Sequence, residues 1–178
     1  MVWWKRIGCL VAGMFLCVAL TTEVSADEGT EDRDWQQLKI RFFVDGKESE
    51  IIDSIYTSGQ TEPGVALLCS ENLLRVRFAT EAVDMRSAIS EYPKSARQVT
   101  GRLLLNDEEA TRDLWAFFPR QRILAPPDRP TAAKIFNATI RGDQVEIDAG
   151  RYEVRYGLPP VDDVFRDFVE RCRQVGAL

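Results

Sequence analysis

The chain has 178 residues, with 23 basic and 28 acidic side chains and no histidine. The missing histidine excludes Ser-His-Asp and Cys-His catalysis, histidine acid–base chemistry and the usual zinc sites. A net charge of −5 with no basic cluster argues against nucleic acid, where affinity rests on neutralising phosphates.

The chain opens on Met1 to Arg6, which carries Lys5 and Arg6, and continues as an uncharged stretch from Gly8 to Leu20. Small residues close the segment at Val24, Ser25 and Ala26. A basic start, a short apolar run and small residues before a cut predict a secretory signal over residues 1–26, removed between Ala26 and Asp27. The apolar run of about 13 residues is short of the roughly 20 that a bilayer span needs. An uncleaved N-terminal anchor is the alternative. A lipoprotein is disfavoured because bulky Phe15 and Leu16 precede Cys17.

Cleavage leaves 152 of the 178 residues, and the 23 basic and 28 acidic side chains become 21 and 27, a net charge of −6. That length suits one domain with a proper core. No second apolar stretch is long enough to span a bilayer, so the mature chain is expected not to insert in a membrane. Of the four cysteines only Cys69 and Cys172 remain. In an oxidising compartment they most simply pair with each other, with two free thiols as the alternative. Closing a loop of roughly 100 residues is worth about 4–5 kcal/mol in the chain-entropy picture.

Residues 27–34 are acidic and aperiodic and read as a flexible leader, with the globular domain over 35–178. Leu38 to Phe42 alternates as a half-buried strand that Phe43 and Val44 extend. Asp45 and Gly46 form a turn pair before a second strand, Ile51 to Tyr56, and Ser58 to Gly64 is a loop. Val65 to Cys69 and Leu73 to Phe78 read as a hairpin around Ser70 to Asn72. Ala82 to Ile89 is a short helix stopped by Pro93. Val99 to Leu105, the turn at Asn106 and Asp107, and Asp113 to Phe118 form another strand pair. Pro119 to Pro130 holds four prolines and is expected to be irregular. Thr131 to Ile140 has helical spacing, and Val145 to Ile147 pairs with Tyr152 to Tyr156 across Ala149 and Gly150.

The last element is the clearest. Val161 to Gln174 places Val161, Val164, Phe165, Phe168, Val169 and Cys172 on one face of a helix and its charges on the other. Asp162 and Asp163 suit its positive end, while Arg171 and Arg173 suit its negative end. The fold class read from this pattern is mainly β, antiparallel and sandwich-like, with a C-terminal α-helix pinned to the Cys69 strand; an α+β arrangement is the alternative.

A cysteine nucleophile is disfavoured if the two thiols are oxidised. No GxGxxG, P-loop or GxSxG pattern is present, which leaves a carboxylate-only mechanism as the surviving enzymatic option. Asp107, Glu108 and Glu109 lack the ligand spacing of a calcium loop and read as a solvated turn. No metal or cofactor is expected. Asn137 to Thr139 is a glycosylation triplet that matters only in a eukaryote. Trp35, Trp115, Phe117 and Phe118 read first as core; the alternative makes Trp115 and Phe117 binding residues lining a groove. Pro126 to Pro130 reads as a rigid connection, with an extended docking segment as its alternative.

The order of these pieces resembles a known family. An apolar strand leads into Leu68, Cys69, Glu71 and Asn72; then come Asp113, Leu114 and Trp115, a helix near Phe136, the step Tyr156-Gly157-Leu158, and a helix closing on Glu170, Arg171 and Cys172. This is similar to the small periplasmic VasI/TagO-like proteins associated with bacterial type VI secretion, over most of residues 35–172. The resemblance implies an accessory protein without catalytic residues. The expected function is therefore that of a non-enzymatic periplasmic or secreted interaction protein whose partners are other envelope proteins. A small-molecule or glycan binder is the alternative. The exported protein is expected to begin at Asp27, which N-terminal sequencing or intact mass checks directly; retention of residues 1–26 would assign the anchor instead.

Overall fold

The computed structural model describes residues 34–44, 47–58, 61–91 and 95–178. The signal, the leader up to residue 33, the turn at Asp45 and Gly46, and Pro93 lie outside the described residues. Among the described residues, nine strands form one curled antiparallel sheet in the order β1-β2-β3-β4-β7-β6-β5-β8-β9. The strands are β1 (Gln36–Val44), β2 (Lys47–Tyr56), β3 (Val65–Ser70), β4 (Leu73–Ala79), β5 (Arg97–Leu105), β6 (Glu108–Phe118), β7 (Ile123–Ala125), β8 (Val145–Ala149) and β9 (Tyr152–Tyr156). Three helices join them: α1 (Met85–Ser90), α2 (Arg129–Arg141) and α3 (Asp163–Gln174). The fold is thus mainly antiparallel β with a C-terminal helix, as the alternation and the final amphipathic stretch predict.

Alternation along the strands divides the apolar side chains between two faces. Val65, Leu67 and Cys69 of β3 and Leu74, Val76 and Phe78 of β4 join the main core, which α2 and α3 cover. Ala66 and Leu68 point the other way and join Ile40, Ile52 and Tyr56 beneath α1. The curl is visible at Tyr156. Its hydroxyl donates to the Ala79 carbonyl at 2.8 Å and its ring lies 4.7 Å from that of Phe78, although four strands separate β9 from β4 in the sheet. Burial pushes the Tyr156 phenol well above its ordinary pKa, so the hydroxyl stays a donor. Gly101 on β5 lets the Trp115 ring approach the backbone closely, since a Cβ there would sit 2.8 Å from Trp115 Cδ1.

Each longer helix begins on an aspartate. Asp128 accepts from the Thr131 N–H at 2.8 Å and Asp162 from the Phe165 N–H at 2.8 Å, which satisfies donors left open at a helix start. Helix α2 stops at Gly142, whose φ of 73° is the left-handed conformation that glycine adopts without penalty. Helix α3 buries Phe165, Phe168 and Cys172. Phe165 stacks on Phe136 of α2 at 5.6 Å and meets Trp35 at 5.7 Å.

Cys172 forms the disulfide with Cys69, with the two Cα atoms 5.6 Å apart and a sequence separation of 103. The end of α3 is also tied to the β3–β4 turn. The Asn72 N–H donates to the Val175 carbonyl at 2.9 Å, and Gly176 approaches so closely that a Cβ would meet Asn72 Oδ1 at 2.7 Å.

One expectation is corrected. The stretch from Pro119 to Pro130 is not irregular throughout: Ile123–Ala125 is strand β7, and α2 already includes Arg129 and Pro130. The prolines sit at its ends. Residues 120–125 keep every N–H and can pair, while Pro130 falls in the first helical turn, where a missing N–H costs nothing.

Reduction or Cys172→Ala is expected to lower the unfolding free energy by about 4–5 kcal/mol, the chain-entropy value for a loop of this size. Chemical denaturation of oxidised and reduced protein, with thiol alkylation as the control, measures it; both thiols reacting in the native protein would overturn the assignment.

Candidate functional site

The hydrogen-bond parity of β3 and β4 determines where the sheet is open. The Val65 N–H donates to Thr57 Oγ1 at 3.0 Å and its carbonyl accepts from the Thr57 N–H at 2.9 Å. The peptide groups of Val65, Leu67 and Cys69 therefore face the β2 side, and those of Ala66, Leu68 and Ser70 face β4. Their partners are Arg77, Arg75 and Leu73. By the same alternation, the peptide groups of Leu74, Val76 and Phe78 face away from β3.

On that side β7 pairs with β4 only at Phe78 with Leu124 and Ala79 with Ile123. The Thr80 N–H donates to the Arg122 carbonyl at 2.9 Å, so bonded positions recur at 80 with 122 and 78 with 124. The next would set Val76 opposite residue 126. That residue is Pro126, which has no N–H, and Pro127 follows it. The ladder ends there, the chain turns into α2, and β4 from Leu73 to Arg77 has no strand on its outer side among the described residues.

The gap is a cleft of about 430 Å³. Phe42, Ile52, Phe118, Pro126 and Pro127 supply its apolar lining. Its charged groups are Glu50, Arg75, Arg77, Asp128 and Arg129. Most of these are engaged. Arg75 pairs with Glu50 at 3.2 Å, Asp128 caps α2, and Arg129 donates to the Ala177 carbonyl at 3.4 Å.

Arg77 is different. It is only 8 % exposed, yet among the described residues it makes no ion pair and no hydrogen bond to a protein group. Burial lowers its pKa below the ordinary arginine value, neighbouring Arg75 lowers it further, and Glu50 partly offsets them. An arginine keeps its charge even so. A largely buried guanidinium with no direct ion pair among the described residues, in a partly apolar cleft, suits an anion.

The groove residues considered from sequence lie elsewhere. Trp115 is fully covered in the main core, its ring 6.3 Å from that of Phe78, and Phe117 is 8 % exposed and meets the Tyr152 ring at a tilt, 4.9 Å away. Trp35 belongs to the same core. Phe118 faces the opposite way and does line the cleft, and the proline segment both connects β7 to α2 and forms one of its walls. Asp107 and Glu109 are taken up in ion pairs with Arg155 at 3.1 Å and Arg112 at 2.9 Å. Arg77, the residue on which the site turns, was not singled out from sequence. In Leu73 to Ala79 every second residue is apolar or small, and an arginine between them reads as solvent-facing. Only the prolines after β7 hinted that pairing would fail nearby.

No family model, curated protein or solved structure matches this chain.

Arg77→Met is expected to raise the unfolding free energy by about 1–3 kcal/mol, because an apolar side chain of similar length removes an unpaired buried charge. Urea denaturation measures it; a loss of similar size would mean that the guanidinium supports the fold instead.

Proposed function

We propose that the protein is an exported, non-enzymatic interaction protein and that the cleft beside β4 takes an anionic group of its partner. The observation that carries this reading is the largely buried Arg77, which makes no ion pair or hydrogen bond among the described residues and lines a cleft. A stability cost of that kind is retained where binding needs it. Apolar walls at Phe42, Phe118 and Pro126 exclude water from the pair and strengthen it.

Several observations support export. The sequence opens with the pattern of a cleavable signal, and the Cys69–Cys172 bond belongs to an oxidising compartment. Among the described residues no helix is long and apolar enough to cross a membrane. The lack of histidine and the oxidised cysteines support a role without catalysis. A place beside a bacterial type VI secretion apparatus, with envelope proteins as partners, follows from the resemblance to VasI/TagO-like proteins in motif order, and the neighbouring genes test it.

Thermal unfolding of the oxidised mature protein with benzoate, succinate and inorganic phosphate tests the cleft. Binding to the native state alone raises the melting temperature as concentration passes the dissociation constant. The carboxylates are expected to stabilise the native protein and to leave Arg77→Met unchanged. No shift with any anion would end this reading.

A further inference from the structure

We propose that the natural occupant of the cleft is an extended acidic segment of a partner protein, which adds as a strand to the open edge of β4 and sets a carboxylate against Arg77. This rests on the reading of the cleft as an anion-binding site and goes further by naming what carries the anion.

The backbone makes the first half of the case. Val76 is 0 % exposed and Leu74 nearly so, and the peptide groups of both face the gap. A buried N–H or C=O without a partner costs about as much as a lost hydrogen bond. The wall opposite has no N–H to give the edge carbonyls, because Pro126 and Pro127 carry none. A free carboxylate or phosphate would satisfy Arg77 alone. A second chain in extended conformation satisfies Arg77 and the edge together, since alternate residues of a strand present their peptide groups on one side, about 6.5–7 Å apart. An unpaired edge with a pocket for alternate side chains is the arrangement by which extended peptides are bound.

The side chains make the second half. Arg75 and Arg77 project to the sheet face that carries Phe42, Ile52 and Phe118. In an added strand the side chains facing that way stand beside those of β4. One of them lies next to Arg77, and the carboxylate belongs there. Its neighbours two residues away meet the apolar lining. Arg75, already held by Glu50, frames the rim. The occupant is thus a short stretch with an acidic residue between β-branched or apolar ones.

The test uses the full oxidised mature protein and a fluorescein-labelled pentapeptide, Thr-Val-Asp-Val-Thr, with fluorescence anisotropy as the readout. The Asn version of the peptide and the Arg77→Gln protein are each expected to bind at least about tenfold more weakly, as loss of a charge-assisted bond implies. A version N-methylated on alternate residues keeps the carboxylate but cannot complete the ladder, and a similar loss is expected. Slowed amide exchange at Leu74 and Val76 in the complex would locate the strand.

Equal binding of the N-methylated and parent peptides, with benzoate competing against both, would overturn strand addition while leaving the anion site intact. Absence of binding by every anion, peptide or small, would overturn both. A concentration-dependent dimer that excludes the peptide would assign the edge to a second copy of this chain and overturn the proposal. Arg77→Gln protein that unfolds cooperatively and is no less stable than the parent serves as the folding control.

Discussion

The two halves of the sheet meet through a ladder two residue pairs long, Phe78 and Ala79 being the only β4 positions that β7 reaches, and its length is fixed by a missing hydrogen on Pro126.

 The ladder is short because Pro126 cannot donate the next hydrogen bond. Four strands stand on one side of the junction and five on the other. With so little backbone holding the halves together, the join depends on side chains packed across it: Phe78 against Tyr156 and Trp115, and the Tyr156 hydroxyl on the Ala79 carbonyl. The sheet curls about that contact, α2 and α3 cover the face inside the curl, and the splayed end of the junction becomes the cleft.

Much of this architecture was legible in the chain. Alternation in Leu38 to Phe42 and Leu73 to Phe78 marks strands because side chains on a pleat face opposite sides. The terminal helix announces itself through Phe165, Phe168 and Cys172 on one face and through Asp162 as its cap. The pairing of Cys69 with Cys172 follows from the cysteine count and the expected export, and the two residues do meet. These features are local, or involve only two candidates.

Strand β7 and the site were not legible, for one shared reason. Three residues, Ile123 to Ala125, have no periodicity to read, and they are a strand only because β4 and β6 lie on either side. Arg77 gives the same lesson from the other direction. Its place between Val76 and Phe78 predicts a face but not what stands over that face, and the burial comes from elements distant in sequence. Proline at 126 reads as a breaker from sequence alone, whereas the ladder that it breaks is set by the register of Phe78 with Leu124. The aromatics went the other way: Trp115 draws attention as a surface for ligands, yet Gly101 gives it a seat inside the core.

The sulfur bridge bears on the open edge as well. Along its open edge β4 has a single strand neighbour, β3, and Cys69 of that neighbour sits opposite Leu74 in the register. The bridge and the Asn72 contact to the end of α3 brace the same corner. The stiffness of that edge therefore depends on the oxidised state of the two sulfurs, since reduction would release the strand that backs it from the closing helix.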